Sequence, residues 1–361
     1  MKIAHVVTLQ ESVPPLAKNG LEFVVSWLAE ELISRGHEVT LFAAADSKTN
    51  GKLISLLPKG THHDNETWRG QPFWSIWNTV LAGSHSENFD IIHCHDFFGS
   101  FIAPFIKTPI VQTLHHPFVN EFLPQFLKTE ENAQTLQFVS DQYAAINYVS
   151  VSRNQEHDFM AMKDFYFKKH RMIYNGIPVS RFEFNPTPQE YLFYIGYMNK
   201  DKGADAAVRV ARALGMKLIL AGNNFGQEEF FYENIKPYLG DDIKYVGPVD
   251  FDQKVELYKN AYATLAPLHW AEPFGLTLVE SQACGTPVIA FNKGAATEII
   301  KDGETGFVVE TETDMIEAVK KIGTISRQRC RTWIEQNFSV SSMVDAYEKY
   351  YADILGKKDA T

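Results

Sequence analysis

Cysteine is scarce in this chain. Cys94, Cys284 and Cys330 are odd in number and scattered over 361 positions, which argues against a disulfide framework and suits a reducing compartment. Long apolar runs are missing too, and no stretch approaches the ~20 apolar residues of a membrane span. The opening Met1-Lys2-Ile3-Ala4-His5-Val6-Val7 turns polar too soon for a signal peptide. Basic charge is not in surplus: 34 Lys and Arg face 44 Asp and Glu, a net charge of −10. A general nucleic-acid binder needs the opposite balance. A cytoplasmic enzyme is therefore the default expectation. The length leaves room for two domains with sizeable cores.

What is present is strand–loop–helix punctuation. Ile3 to Thr8 reads as a buried strand, followed by a polar loop with Pro14, Pro15 and Asn19-Gly20. An amphipathic helix runs from about Leu21 to Ser34, Gly36 closes it, and His37 to Phe42 is the next strand. That order is the doubly wound α/β pattern. Residues 46–72 read as loop. A helix follows with Phe73, Trp74, Ile76, Trp77, Val80 and Leu81, its aromatics expected in the core. Asp90 to Cys94 and Pro109 to Leu114 are strands running into His93-Cys94-His95-Asp96 and His115-His116-Pro117. Histidine, cysteine and aspartate are zinc ligands, but no second Cys or His pair lies at finger spacing. No metal is therefore expected, and ligand binding at the C-terminal ends of parallel strands accounts better for both clusters. Residues 118–127, with Phe118, Phe122 and Phe126, suggest a packed helix interrupted by Pro124, or an acceptor- or membrane-facing element.

Ile146 to Ser152 is expected to be the last strand of a first domain spanning 1–182. Residues 180–190, with Pro186 and Pro188, read as a linker. A second strand–helix series then fills 190–338: strands at Tyr191 to Gly196, Lys217 to Ala221 and Ile243 to Val246, and a helix at Ala204 to Leu214. The tail, 339–361, carries Val340, Met343, Val344, Tyr347, Tyr350 and Tyr351 at helical spacing.

The most informative stretch is Ala266 to Ala290. A strand, Tyr262 to Ala266, ends in a loop holding Glu272, and a helix carries Leu276, Val279 and Ala283 inward. Gly285 is placed to stop that helix, and Thr286 to Phe291 reads as the next strand. The amides near Phe274, Gly275, Leu276 and Thr277 would sit at a helix N-terminus, where an anion is favoured. A carboxylate beside such a site needs other work, such as accepting hydrogen bonds from hydroxyls. The plain alternative is that Glu272 and Glu280 are a helix-start charge and a solvated helix face.

Glu272 and Glu280, with seven residues between them and the Glu-Pro-Phe-Gly opening, resemble the Glu-x7-Glu signature of retaining glycosyltransferases of family 4, in glycosyltransferase group 1. The following Ala-Cys-Gly-Thr-Pro-Val-Ile-Ala and the run from Asn292 to Phe307 match the same pattern. The resemblance implies a GT-B fold: two doubly wound Rossmann-like domains facing a central cleft, with a C-terminal helix crossing back to the N-domain. It implies a nucleotide-sugar donor, a UDP- or GDP-sugar, and an acceptor hydroxyl on a glycan, lipid-linked or small molecule. It also implies that no metal is required.

By the same resemblance Lys202 holds the donor diphosphate, Glu272 the sugar hydroxyls, Glu280 the ribose, and His115 faces the sugar. Gly20 and the amides from Phe274 to Thr277 approach the phosphates, and Gly247 lies in a base-binding loop. Two positions depart from the family: Asn19 replaces the first glycine of a Gly-Gly pair, and Tyr197 stands where an arginine is usual. Losing that arginine removes a bidentate phosphate fork. These departures keep open a non-catalytic reading, a family member that binds nucleotide sugar or supports a partner transferase, and an NDP-sugar epimerase or hydrolase on the same fold is the other alternative. A lipid-linked acceptor with peripheral membrane contact also stays open, although no basic amphipathic helix supports it. The oligomeric state is not legible.

Overall fold

The computed structural model describes residues 1–15, 20–61, 71–96, 98–116, 144–160 and 169–357. They divide into two compact units, one of Met1–Gly176 with Val340–Thr361 and one of Ile177–Ser339. Asn19 and the aromatic stretch 118–127 lie outside the described residues.

The first unit is built on a seven-stranded sheet: β1 (Lys2–Val6), β2 (Glu38–Phe42), β3 (Lys52–Ile54), β4 (Ile91–Cys94), β5 (Ile110–Leu114), β6 (Asn147–Ser150) and β7 (Lys169–Met172). Its order is β3-β2-β1-β4-β5-β6-β7, and every pair is parallel. Parallel sheets are covered on both faces, and β4, β5 and β6 are buried at every position. Two strands lie outside the expected set. β3 falls in the polar stretch read as loop, and β7 follows what was read as the last strand. Both are at sheet edges, where burial is partial and the apolar signal is correspondingly weak.

The helix Gln71–Ser84 corrects another expectation. Phe73 and Trp77 are 55% and 49% exposed rather than in the core. The inward face is instead Ser75, Asn78, Thr79 and Ala82. Asn78 donates to the carbonyls of Val7 and Phe42, both at 2.9 Å, where β1 and β2 end. Buried carbonyls need donors, and that need outweighed hydrophobicity in orienting this helix.

The second unit has a six-stranded parallel sheet: β8 (Tyr191–Ile195), β9 (Lys217–Ala221), β10 (Ile243–Gly247), β11 (Ala263–Ala266), β12 (Val288–Phe291) and β13 (Gly306–Val309). Its order is β10-β9-β8-β11-β12-β13. Leu192, Leu218, Leu220, Leu265 and Ile289 pack its core against the helix Ala204–Leu214. In both sheets the chain winds outward for three strands and then reverses, between β1 and β4 and between β8 and β11. In open α/β sheets ligands bind outside the carboxyl ends of the strands at such reversals.

Residues 180–190 are not a free linker. Asn185 N–H donates to Cys284 O, Gln189 N–H to Asn260 O at 2.7 Å, and Arg327 Nε to Asn185 O at 2.6 Å. The chain passes between units at Gly176/Ile177 and again at Ser339/Val340, where Ile177 and Ser339 form a parallel bridge. The helix Val340–Ile354 belongs to the first unit. Its Asp345 and Glu348 bind the Arg35 guanidinium at 2.6 and 2.7 Å. Its Tyr347 and Tyr351 hydroxyls pair with Thr113 and His93. All three cysteines are free and buried. Among the described residues no helix is long and apolar enough to cross a membrane.

Candidate active site

Two loops meet at the reversal between β8 and β11. The first, from Gly196 to Gly203, follows β8. It is tied down by Asn199, whose Oδ1 accepts the Lys202 N–H at 2.9 Å, and by the Tyr194 hydroxyl. That hydroxyl donates to the carbonyls of Tyr197 at 2.8 Å and Lys202 at 3.2 Å. Gly203 turns it into the helix Ala204–Leu214 at φ +73, and a Cβ there would lie 1.9 Å from Pro267 O. Only glycine fits. The second loop, 267–275, follows β11 and ends at Gly275 (φ +90), which caps the helix Leu276–Ala283. His269 N–H donates to Asp201 O at 2.8 Å and joins the two loops.

The junction carries the charges expected from sequence. Lys202 Nζ lies 2.5 Å from Glu272 Oε2, each side chain 23% exposed, and 4.1 Å from the centroid of the Trp270 ring. An ammonium over an indole face is attracted by the ring quadrupole. Tyr197, in the position of the family arginine, is half-buried in the same loop and supplies no charge; Lys200 is exposed in that turn. The Leu276 and Thr277 amides start the helix, ahead of its first backbone bond, Leu278 N–H to Gly275 O at 3.0 Å. The Phe274 side chain is 3% exposed and meets Phe338 edge-on at 5.9 Å, so it anchors the loop.

Glu280 is not on a solvated helix face. It is 3% exposed, with Lys254 Nζ at 2.6 Å from Oε1 and the Tyr258 hydroxyl donating to Oε2 at 3.2 Å. Burial, reinforced by that carboxylate, holds the Tyr258 hydroxyl well above its ordinary pKa. At the ends of β8, β9 and β10 the backbone crowds. Gly222 N–H donates to Gly247 O at 2.8 Å, and a Gly222 Cβ would lie 1.8 Å from Gly196 O.

Gly294, Trp270 and Lys254 were not singled out from sequence. Gly294 (φ +55) packs on the Glu272 backbone, where a Cβ would fall 2.2 Å from its oxygen and 2.4 Å from its nitrogen. Ala295 N–H completes the clamp by donating to Glu272 O at 3.1 Å. The quoted Asn292-to-Phe307 run contained this glycine but not its contact. Gly294→Ala is expected to destabilise the chain by about 2 kcal/mol or more and to raise the donor KM. Unchanged denaturant midpoint and KM would show that the loop has room.

The first unit's reversal holds histidines. Register pairs His5 with His93. His5 Nδ1 lies 2.9 Å from His95 Nε2, and His95 Nδ1 lies 3.1 Å from His115 Nε2. Burial holds His5 down to about 3, and His93, His95 and His115 below the ordinary imidazole range. At neutral pH these rings are therefore uncharged. His5, His93 and His95 bring ligand-type nitrogens within 4.8 Å of one another. Each His93 nitrogen faces a hydroxyl, Tyr351 at 2.7 Å and Thr113 at 2.8 Å. Gly20 begins the helix Gly20–Ser34.

The comparisons agree in both halves. Residues 18–181 match the family model described as Glycosyltransferase Family 4, and residues 178–339 the one described as Glycosyl transferases group 1. An uncharacterized glycosyltransferase of Methanocaldococcus jannaschii is 25% identical over 99% of this chain and 96% of its own length. Two solved structures share the fold. The sucrose-phosphate synthase of Thermosynechococcus elongatus has a TM-score of 0.77 at 18% identity over 99% of this chain and 100% of that one. Anabaena HepE in complex with UDP-glucose has a TM-score of 0.72 at 16% identity over 98% and 100%. With one family model on each half of the chain, in order, and the GT-B fold around both, this protein belongs to the group 1, family 4 glycosyltransferases.

Proposed function

We propose that this chain is a retaining, metal-independent transferase that moves a sugar from a UDP- or GDP-sugar to an acceptor hydroxyl. The observation that carries the reading is the Lys202–Glu272 pair at the β8/β11 reversal, beside the Leu276 helix start. One group neutralises a leaving diphosphate and the other accepts sugar hydroxyls, and a helix N-terminus favours the same anion.

In the reaction the bond between the anomeric carbon and the diphosphate oxygen breaks while the acceptor oxygen bonds to the same face of that carbon. The acceptor proton passes to a donor phosphate oxygen, so no protein nucleophile is needed. Lys202 and the Leu276–Thr277 amides stabilise the departing charge, the role a divalent cation fills in other transferases. Glu280, held by Lys254 and Tyr258, is assigned to the ribose hydroxyls, and His115 to orienting the sugar.

The test is a binding panel of UDP-, GDP- and ADP-sugars with chelator present, read by thermal shift. One donor is expected to stabilise the protein selectively, with the shift lost in Glu280→Gln and unaffected by chelation. Transfer should then give a product with the donor's anomeric configuration. No stabilisation by any donor would favour the non-catalytic reading that Tyr197 and Asn19 suggest, in the form that supports a partner transferase rather than binding the donor itself.

A further inference from the structure

His5, His95 and His115 form a line of three imidazoles from inside the sheet to its carboxyl edge. His5 and His95 are 0% and 2% exposed. Neighbouring rings stack at 22° and 27°. His95 spends both nitrogens on the other two rings, at 2.9 and 3.1 Å. His5 Nε2, at the inner end, is buried with no hydrogen-bond partner among the described residues. His93 flanks the line at 4.0 Å from the His95 centroid, but its nitrogens go to Tyr351 and Thr113. It does not compete for the line.

A neutral imidazole has one N–H and one lone pair, so three of them in a row allow only two proton arrangements. In one, each Nε2 carries the proton, and the chain ends in a buried N–H on His5 with nothing to receive it. In the other, each Nδ1 carries the proton, and the inner end is only an unused lone pair. Orphaned buried N–H groups are the rarer and costlier case. That selects the second arrangement: His5 Nδ1–H donates to His95 Nε2, and His95 Nδ1–H donates to His115 Nε2.

We propose that His5 and His95 are positioning residues that fix His115 as the Nδ1–H tautomer, leaving it a hydrogen-bond donor to sugar or phosphate oxygen. This rests on the reading of His115 as the residue that orients the donor sugar. So fixed, His115 cannot take the acceptor proton at Nδ1. This agrees with the proposal that a donor phosphate oxygen takes that proton.

Two-bond ¹H–¹⁵N spectra of histidine-labelled full-length protein test the tautomer directly, with His115 assigned by its loss in His115→Gln. An Nδ1–H pattern from pH 6 to 8 is expected; an Nε2–H pattern, or a charged ring, overturns the proposal. Activity supplies a second arm. In His95→Asn the amide nitrogen takes the place of Nδ1 and can still donate to His115, so kcat should stay within a few-fold. His95→Gln places its amide at the Nε2 end and leaves His115 unpaired. A fall in kcat of about tenfold to a hundredfold is expected there, with the His115 tautomer mixed. Equal losses in two folded variants would overturn the proposal. So would stoichiometric zinc in the wild-type protein that is lost in His5→Phe, because the metal would take these nitrogens. If the tautomer is as expected but His115→Gln transfers sugar normally, the tautomer assignment stands and the sugar-orienting role falls.

Discussion

Lys202→Ala is expected to lower kcat/KM for the donor by about 10²–10³-fold, the range for removing one group that meets transition-state charge. The ammonium is held before any ligand arrives. Glu272 lies at 2.5 Å, the Trp270 ring at 4.1 Å, and the loop beneath is pinned by Asn199 and Tyr194. On the proposed reading, with Tyr197 where the family usually has an arginine, more of the diphosphate charge would fall to this lysine. The charge grows as the diphosphate leaves, so most of the loss should appear in kcat rather than KM. Lys202→Arg should recover little, because a planar guanidinium does not reproduce a compact ammonium between a carboxylate and an indole. Lys202→Ala combined with Glu272→Gln should cost less than the two single losses together, since Glu272 is left unpaired beside phosphate in the single variant. A change below about fivefold in Lys202→Ala would remove the lysine from the mechanism.

The second large effect concerns acid. His5, His93, His95 and His115 are held below the imidazole value of 6.5 by burial. Between that value and their folded ones the unfolded chain binds protons that the folded chain refuses. Stability present above pH 6.5 is therefore lost as pH falls toward the folded values. Glu22 and Asp96 act in the opposite sense. Burial raises each to about 7, with Glu11 adding to the effect on Glu22. The folded state keeps their protons through a window where the unfolded chain has released them, and stability falls as pH rises from about 4 to 7. His170, lowered by burial to about 4, adds to the histidines, which near pH 5 prevail by about two to three protons, so stability should drop by roughly 3–4 kcal/mol per pH unit there. Above pH 7 it should level off. Denaturant midpoints from pH 5 to 8 measure this, and flat midpoints below pH 7 would contradict it. Glu22→Gln keeps the contact with Thr8 and removes the ionisable carboxyl. It should gain about 1–3 kcal/mol at pH 8 and steepen the acid limb.

Much of this protein was legible from local rules. Gly36 and Gly285 stop their helices at φ +86, where only a residue without a Cβ is unstrained. The strand–loop–helix rhythm announced two doubly wound sheets. Glu272 and Glu280 were marked by the Glu-x7-Glu resemblance, and Lys202 by the same family's pattern in a second stretch some seventy residues upstream. Such signals reach a residue's own turn or its next one, and the chemistry that depends on them could be read in order along the chain.

Only the tertiary structure decided what meets across the sheets. Parallel register sets His5 beside His93 and within reach of His95, 90 positions along the chain, and no spacing rule connects them. Gly294 became a clamp on Glu272 because two loops from adjacent strands share one edge. The plain alternative of a solvated helix face for Glu280 fell because its side chain is buried, with Lys254 and Tyr258 approaching from the preceding helix. Phe73 and Trp77 were left outside because Asn78 was needed at the carbonyls of Val7 and Phe42. In the histidine, Glu280 and Asn78 cases a buried polar group required a distant partner, and at Gly294 a close backbone approach required the absence of a side chain. Sequence shows which residues can provide one, and packing alone determines which do.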